Sequence, residues 1–238
     1  TESMIDMFRM SDPDAARGNV ITAREILDRG TERIRTELAD EPQVLATLLN
    51  AMGRVYLGLG LYDVAQSLFE DAVTARREVY GAGSPEAAES LHDLAFVAGK
   101  QGRLEAAVVL VREAFAIRLR HFGPDDLDVA SSQDLLAGLL ARQGSADSAV
   151  ALHRAALATR RRQLGENHPD VVESLFRLAE TLVFFTQDAG GGAQASSDAL
   201  EAATRLYGEQ HTVVADVLNV VSRSYAQRGD WRRSEAAV

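Results

Sequence analysis

Residues 60–81 read GLYDVAQSLFEDAVTARREVYG, and the same frame returns as GRLEAAVVLVREAFAIRLRHFG at 102–123 and as GSADSAVALHRAALATRRRQLG at 144–165. Four small residues keep their places in all three. Gly60, Gly102 and Gly144 open the frame and Gly81, Gly123 and Gly165 close it. Ala65, Ala107 and Ala149, then Ala72, Ala114 and Ala156, lie inside it, always at a step of 42 residues. A fixed step of this size marks a repeat array in which each unit is one supersecondary element. Glycine reaches the left-handed conformation at low cost and so ends a helix. The alanines share one face of the helix that follows, where a methyl group lets two backbones approach. Leu49, Tyr56, Leu61, Leu68 and Val73 recur at helical spacing, so each unit is expected to be a pair of antiparallel helices that must stack on a neighbour to bury both faces.

Outward from this core the phase persists. Pro42, Pro85, Pro124 and Pro169 fall where one unit hands over to the next, in keeping with proline in a first helical turn, where its missing N–H leaves no bond unmade. Ala23 and Gly30 lie 42 residues before Ala65 and Ala72. At Thr186 the expected glycine is replaced, and Gly190, Gly191 and Gly192 follow as a flexible turn. The spacing predicts a half repeat at 22–41, repeats at about 42–84, 85–126, 127–168 and 169–210, and a truncated repeat at 211–238, after a junction segment at 1–21. The chain starts at Thr1 without methionine and stops at Val238 inside a helical pattern, which reads as a piece excised from a longer protein.

Composition limits the chemistry. The 238 residues carry 35 acidic and 25 basic side chains, a net charge of −10 that opposes binding to nucleic acid or to an anionic membrane. There is no cysteine, which excludes disulfides, thiolate zinc sites and a cysteine nucleophile, and fits a reducing, cytoplasmic location. No apolar run is long enough for a membrane span. His92, His121, His153, His168 and His211 include no pair at zinc-helix spacing, and the glycine run lacks the lysine and hydroxyl residue of a phosphate loop. No catalytic residue, metal or cofactor is expected. Arg160, Arg161 and Arg162 end a second helix, as Arg76, Arg77, Arg118 and Arg120 do. The helix dipole accounts for them as solvated cations, and Phe184 with Phe185 is expected to pack beneath the glycine turn.

With the small-residue ladder, Tyr56, Tyr225 and the turn from Gly165 through His168 and Pro169 to Asp170, the chain resembles the tetratricopeptide repeat family. The long step is similar to the kinesin-light-chain type, and the resemblance covers about residues 22–238. It implies an all-α, right-handed superhelix of antiparallel helix pairs whose first helices line a concave groove for a peptide or partner protein. In that register Asn50, His92, Asp134, Phe176 and Asn219 form one row, and Arg54, Phe96, Gly138, Glu180 and Arg223 the next, with Asp93 and Arg177 beside them. The family's clamp for a terminal carboxylate needs a lysine that these rows lack. A second resemblance, carried by Met7 to Pro13, Ala16 to Asn19 and Thr22 to Gly30, is to the segment joining kinase domain and repeats in bacterial eukaryotic-type serine/threonine kinases. The expected function is a non-enzymatic scaffold that recruits a protein partner or substrate for such a signalling protein. The alternatives are a structural or self-associating spacer and a peptide-sensing regulatory domain.

Overall fold

The computed structural model describes residues 23–236, so the junction segment expected at 1–21 lies outside the described residues. All regular structure among those residues is helical: α1 Ala23–Glu37, α2 Pro42–Gly58, α3 Tyr62–Tyr80, α4 Pro85–Lys100, α5 Leu104–Phe122, α6 Leu127–Arg142, α7 Ala146–Leu164, α8 Pro169–Phe185, α9 Ala189–Tyr207, α10 Thr212–Gln227 and α11 Trp231–Ala236. The chain forms two compact units, Thr1–Ser90 and Leu91–Val238. In the first, α2 packs along α3; in the second, α6 packs along α7, α8 along α9 and α10 along α11, each pair also touching the next.

The glycine and alanine ladders act as their chemistry dictates. Gly60, Gly102 and Gly144 take φ of 73°, 79° and 86°, and Gly81, Gly123 and Gly165 take 92°, 82° and 78°. That region is strained for other residues, so these positions stop the helices where they do. All six ladder alanines are fully buried. Pro42 and Pro169 open α2 and α8 from the first turn. Pro124 lies two residues ahead of the cap instead, because Asp126 takes the N-cap of α6 and accepts from the N–H groups of Asp128 and Val129.

The segment at Gly190 to Gly192 is not a flexible turn; it forms the first turn of α9. Asp188 caps it by accepting from the Gly191 N–H at 2.8 Å. At buried Gly192, an added Cβ would come within 3.1 Å of the Val183 side chain, so the missing side chain lets α9 approach α8 closely. Helix propensity alone disfavours three glycines here, and the cap with this close packing overrides it. Thr186 replaces the turn glycine with φ of −117° and donates its hydroxyl to the Leu182 carbonyl at 2.6 Å.

In the first unit the core runs from Ile34 through Leu49, Leu68 and Phe69 to Ala88. Tyr56 is fully buried, and its hydroxyl donates to Asp28 at 2.6 Å. Burial first, and then the Asp28 carboxylate, raise this phenol above the ordinary 10.0. A raised folded value means the neutral phenol's stabilisation is complete below the unfolded value and is lost as pH rises through the folded one. In an ultraviolet titration, one of the five tyrosines is expected to ionise after the others. Tyr56→Phe should remove that late component; its persistence would refute the assignment.

Candidate functional site

A repeated polar tie holds the second helices α3, α5 and α7 to the first helices that follow them. Arg76 on α3 donates to the Ser90 hydroxyl at 2.9 Å and the Glu86 carbonyl at 2.8 Å, and faces the Glu89 carboxylate at 2.9 Å. Arg118 on α5 repeats this with Ser132 at 2.9 Å and the Asp128 carbonyl at 3.2 Å. Arg160 on α7 reaches Ser174 and the carboxylate of Asp134. The three serines are fully buried. These arginines are therefore structural and largely buried, not the solvated helix-end cations that the dipole pattern suggested. Arg161 and Arg162 do stay at the surface, against Glu166 and Asp125. The tie could have been found in the sequence, since Arg76, Arg118 and Arg160 keep the 42-residue step.

Asp134 is the most heavily engaged of these groups. Besides Arg160, it accepts from His153 Nδ1 at 2.8 Å and from the Ser174 hydroxyl at 3.2 Å. His153 is 1% exposed. A carboxylate only accepts, so the imidazole carries its proton on Nδ1. No group of three or more histidines and carboxylates that could hold a metal exists among the described residues.

Within the second unit, α4, α6 and α8 line an open cavity of about 710 Å³, the size of a ligand cleft. His92, Phe96, Asp134, Arg177 and Glu180 all line it. Arg177 is held between Glu173 at 3.2 Å and Glu180 at 3.3 Å. Phe176 turns away and packs against the apolar cluster of Val217 and Ala203. Asp93 is half-buried beside the cavity, and Asn219 and Arg223 stand exposed on α10; none of the three lines it. In the first unit, Asn50 is 2% exposed and accepts from the Ser90 hydroxyl at 2.8 Å, while exposed Arg54 pairs with Glu89 at 2.7 Å.

The rim holds residues that lie outside the two groove rows. Lys100, Arg142 and Phe184 end α4, α6 and α8 at the 42-residue step, and all three line the cavity. Lys100 sits with its ammonium 5.2 Å from the Phe96 ring centre, a cation–π contact. Arg142 donates to the Gly99 carbonyl at 2.9 Å, which places its guanidinium next to the end of α4. Phe184 and Phe185 do not pack beneath the glycine segment; Val183 does, and the two rings are 51% and 45% exposed into the cavity. Gly138 also lines the cavity, and an added Cβ there would meet nothing within 4 Å.

Comparison with known proteins agrees with this architecture. The structure is similar to that of BtubC (BKLC) from P. vanneervenii, with a TM-score of 0.76 at 20% identity over 92% of this chain and 89% of that one. It is also similar to a Podosopora anserina putative kinesin light chain with nearly identical TPR-like repeats, at 0.71 and 20% identity over 83% and 92%. A third, YrrB, described as a TPR protein with an unusual peptide-binding site, aligns at 0.52 and 12% over 87% and 89%. No curated protein matches the sequence significantly. No described helix is long and apolar enough to cross a membrane. The tetratricopeptide repeat model matches residues 43–120 and 128–189, more than half the sequence. Its repeats are generally scaffolds for protein–protein interaction. By that match, and by the stacked helix pairs that the glycine and alanine ladders build, the chain belongs to the tetratricopeptide repeat family.

Proposed function

We propose that the second unit binds an extended segment of a protein partner in the cavity of α4, α6 and α8. Through it the chain recruits that partner, in the cytoplasm, for a signalling protein of the bacterial serine/threonine kinase kind. One observation carries the binding reading. In a chain of net charge −10, the cavity rim offers Lys100, over the Phe96 ring, and Arg142, on the Gly99 carbonyl, with no ion pair to either among the described residues, in a cleft that exposed Phe184 and Phe185 also line. Cations left open next to aromatic rings suit a segment with acidic side chains and a large apolar one, the latter entering the space above Gly138. The peptide-binding site named for YrrB is a use of the same fold. The kinase link is supported by the resemblance of residues 7–30, and kinase motifs in the coding sequence ahead of Thr1 would bear it out; a parent without them would end it.

Peptides selected from a displayed random library on the wild-type protein are expected to be rich in acidic and bulky apolar residues. Lys100→Glu with Arg142→Glu should weaken them by about 10- to 100-fold, since opposed charges then face each other. Equal affinity for both proteins would contradict the proposal.

A further inference from the structure

The cavity carries opposite charge on its two walls. Helix α6 stands between α4 and α8: Arg142 donates to the Gly99 carbonyl of α4 at 2.9 Å, and Asp134 accepts from the Ser174 hydroxyl of α8 at 3.2 Å. The 42-residue step lays two rows across the three helices, Phe96, Gly138 and Glu180, then Lys100, Arg142 and Phe184. All six line the cavity. On α4 the rows bring an aromatic ring and, one turn later, a cation, with the Lys100 ammonium 5.2 Å from the Phe96 ring centre. On α8 the order is exchanged and the charge reversed, since Glu180 comes first and Phe184 one turn later.

The α8 wall holds an acidic surplus. Glu173 and Glu180 both line the cavity and both hold Arg177, at 3.2 Å and 3.3 Å. One guanidinium balances one carboxylate, so a negative charge is left over. Asp170, 3.9 Å from the His168 imidazole, adds another at the same wall. The side chains of Glu173 and Glu180 are 61% and 33% exposed, within reach of a ligand. Asp134 and Arg160 line the cavity too, but they pair with each other and favour neither wall.

We propose that the segment bound in the cavity is bipolar. It lies across the three helices with an acidic side chain at Lys100 and Arg142, its bulky apolar side chain over Gly138, and a basic side chain at Glu173, Glu180 and the Phe184 ring. This rests on the reading of the cavity as a peptide site and adds the order of charges along it. Neighbouring helix axes stand about 8 to 10 Å apart and an extended chain advances about 3.3 Å per residue, so each charged side chain falls about three positions from the apolar one, on opposite sides of it. At α8 the basic group meets carboxylates and an aromatic face together. The reversed placement sets like charges against each other at both walls, which selects one orientation.

A peptide selected from the displayed library on the wild-type protein is the probe, and it is expected to carry a basic residue on the far side of its apolar residue from the acidic one. Glu173→Lys with Glu180→Lys alters only solvent-accessible ion pairs, so the fold survives, and it should weaken that peptide about tenfold. Changing the peptide's basic residue to glutamate should restore binding to this variant and not to the wild type. Changing its acidic residue to lysine should restore binding only to the Lys100→Glu, Arg142→Glu protein. Unchanged affinity for the Glu173→Lys, Glu180→Lys protein, or rescue at the opposite wall, overturns the order of charges. Gly138→Trp separates the two readings. A peptide that loses affinity for Gly138→Trp yet ignores the α8 variant overturns the bipolar segment alone, and one that binds Gly138→Trp as it binds wild type overturns the cavity reading with it.

Discussion

Replacing Asp134 by alanine is expected to lower the unfolding free energy of the second unit by about 3 to 5 kcal/mol, the usual cost of leaving a buried charge without its partner. The carboxylate is 12% exposed and holds Arg160, which is 11% exposed, together with the imidazole of His153. Removing it leaves a guanidinium and a ring N–H, 11% and 1% exposed, without the carboxylate that both bond. Asn50 occupies the matching place in the first unit and accepts from its serine without a charge, because Arg76 there has the Glu89 carboxylate. Asp134→Asn should therefore cost less than the alanine variant but more than nothing, as it keeps the hydroxyl and imidazole bonds and leaves Arg160 without a counter-charge. Urea denaturation of the three proteins, followed by circular dichroism, checks the order. An alanine variant as stable as wild type would show the network to be dispensable.

The second large effect concerns Phe69. Its fully buried ring fills the recess at Gly53, where an added Cβ would lie 2.6 to 2.9 Å from ring carbons. Phe69→Ala is expected to cost about 3 to 5 kcal/mol through lost burial and the cavity left behind. Gly53→Leu alone should cost about 1 to 3 kcal/mol or more by overpacking against the ring. Together the two changes move the knob from one helix to the other, so the double variant should be more stable than the sum of the single costs requires. Strict additivity would mean that Gly53 and Phe69 do not form the contact described.

Periodicity in this chain reveals the helix pairs and hides the way individual side chains turn. The helix pairs were legible because glycine and alanine at 60, 65, 72 and 81 recur with their physical roles attached, a helix end and a close approach. Register also placed His92, Phe96, Asp134, Arg177 and Glu180 on first helices, and these line one cavity. Register does not say which way a side chain of a row turns. Phe176 belongs to the same row and packs, partly buried, against the apolar core. Arg160 was hidden for a different reason. A cation in the last helical turn looks like a response to the dipole, and only the folded chain shows it reaching 14 residues ahead to Ser174. The glycines at 190–192 misled because intrinsic propensity is weaker than a cap and a close helix crossing, both of which depend on neighbours.

The central claim is that a partner's segment occupies the cavity over Gly138. Because a Cβ there meets nothing and glycine is a poor helix former, Gly138→Trp is expected to leave the melting temperature unchanged or slightly higher while its ring fills the space. The decisive measurement is a calorimetric titration of a library-selected peptide into wild-type and Gly138→Trp protein. Affinity reduced by about 100-fold or more, close to 3 kcal/mol, is the predicted result. Unchanged affinity in an equally stable variant would contradict the account and place the partner elsewhere on the molecule.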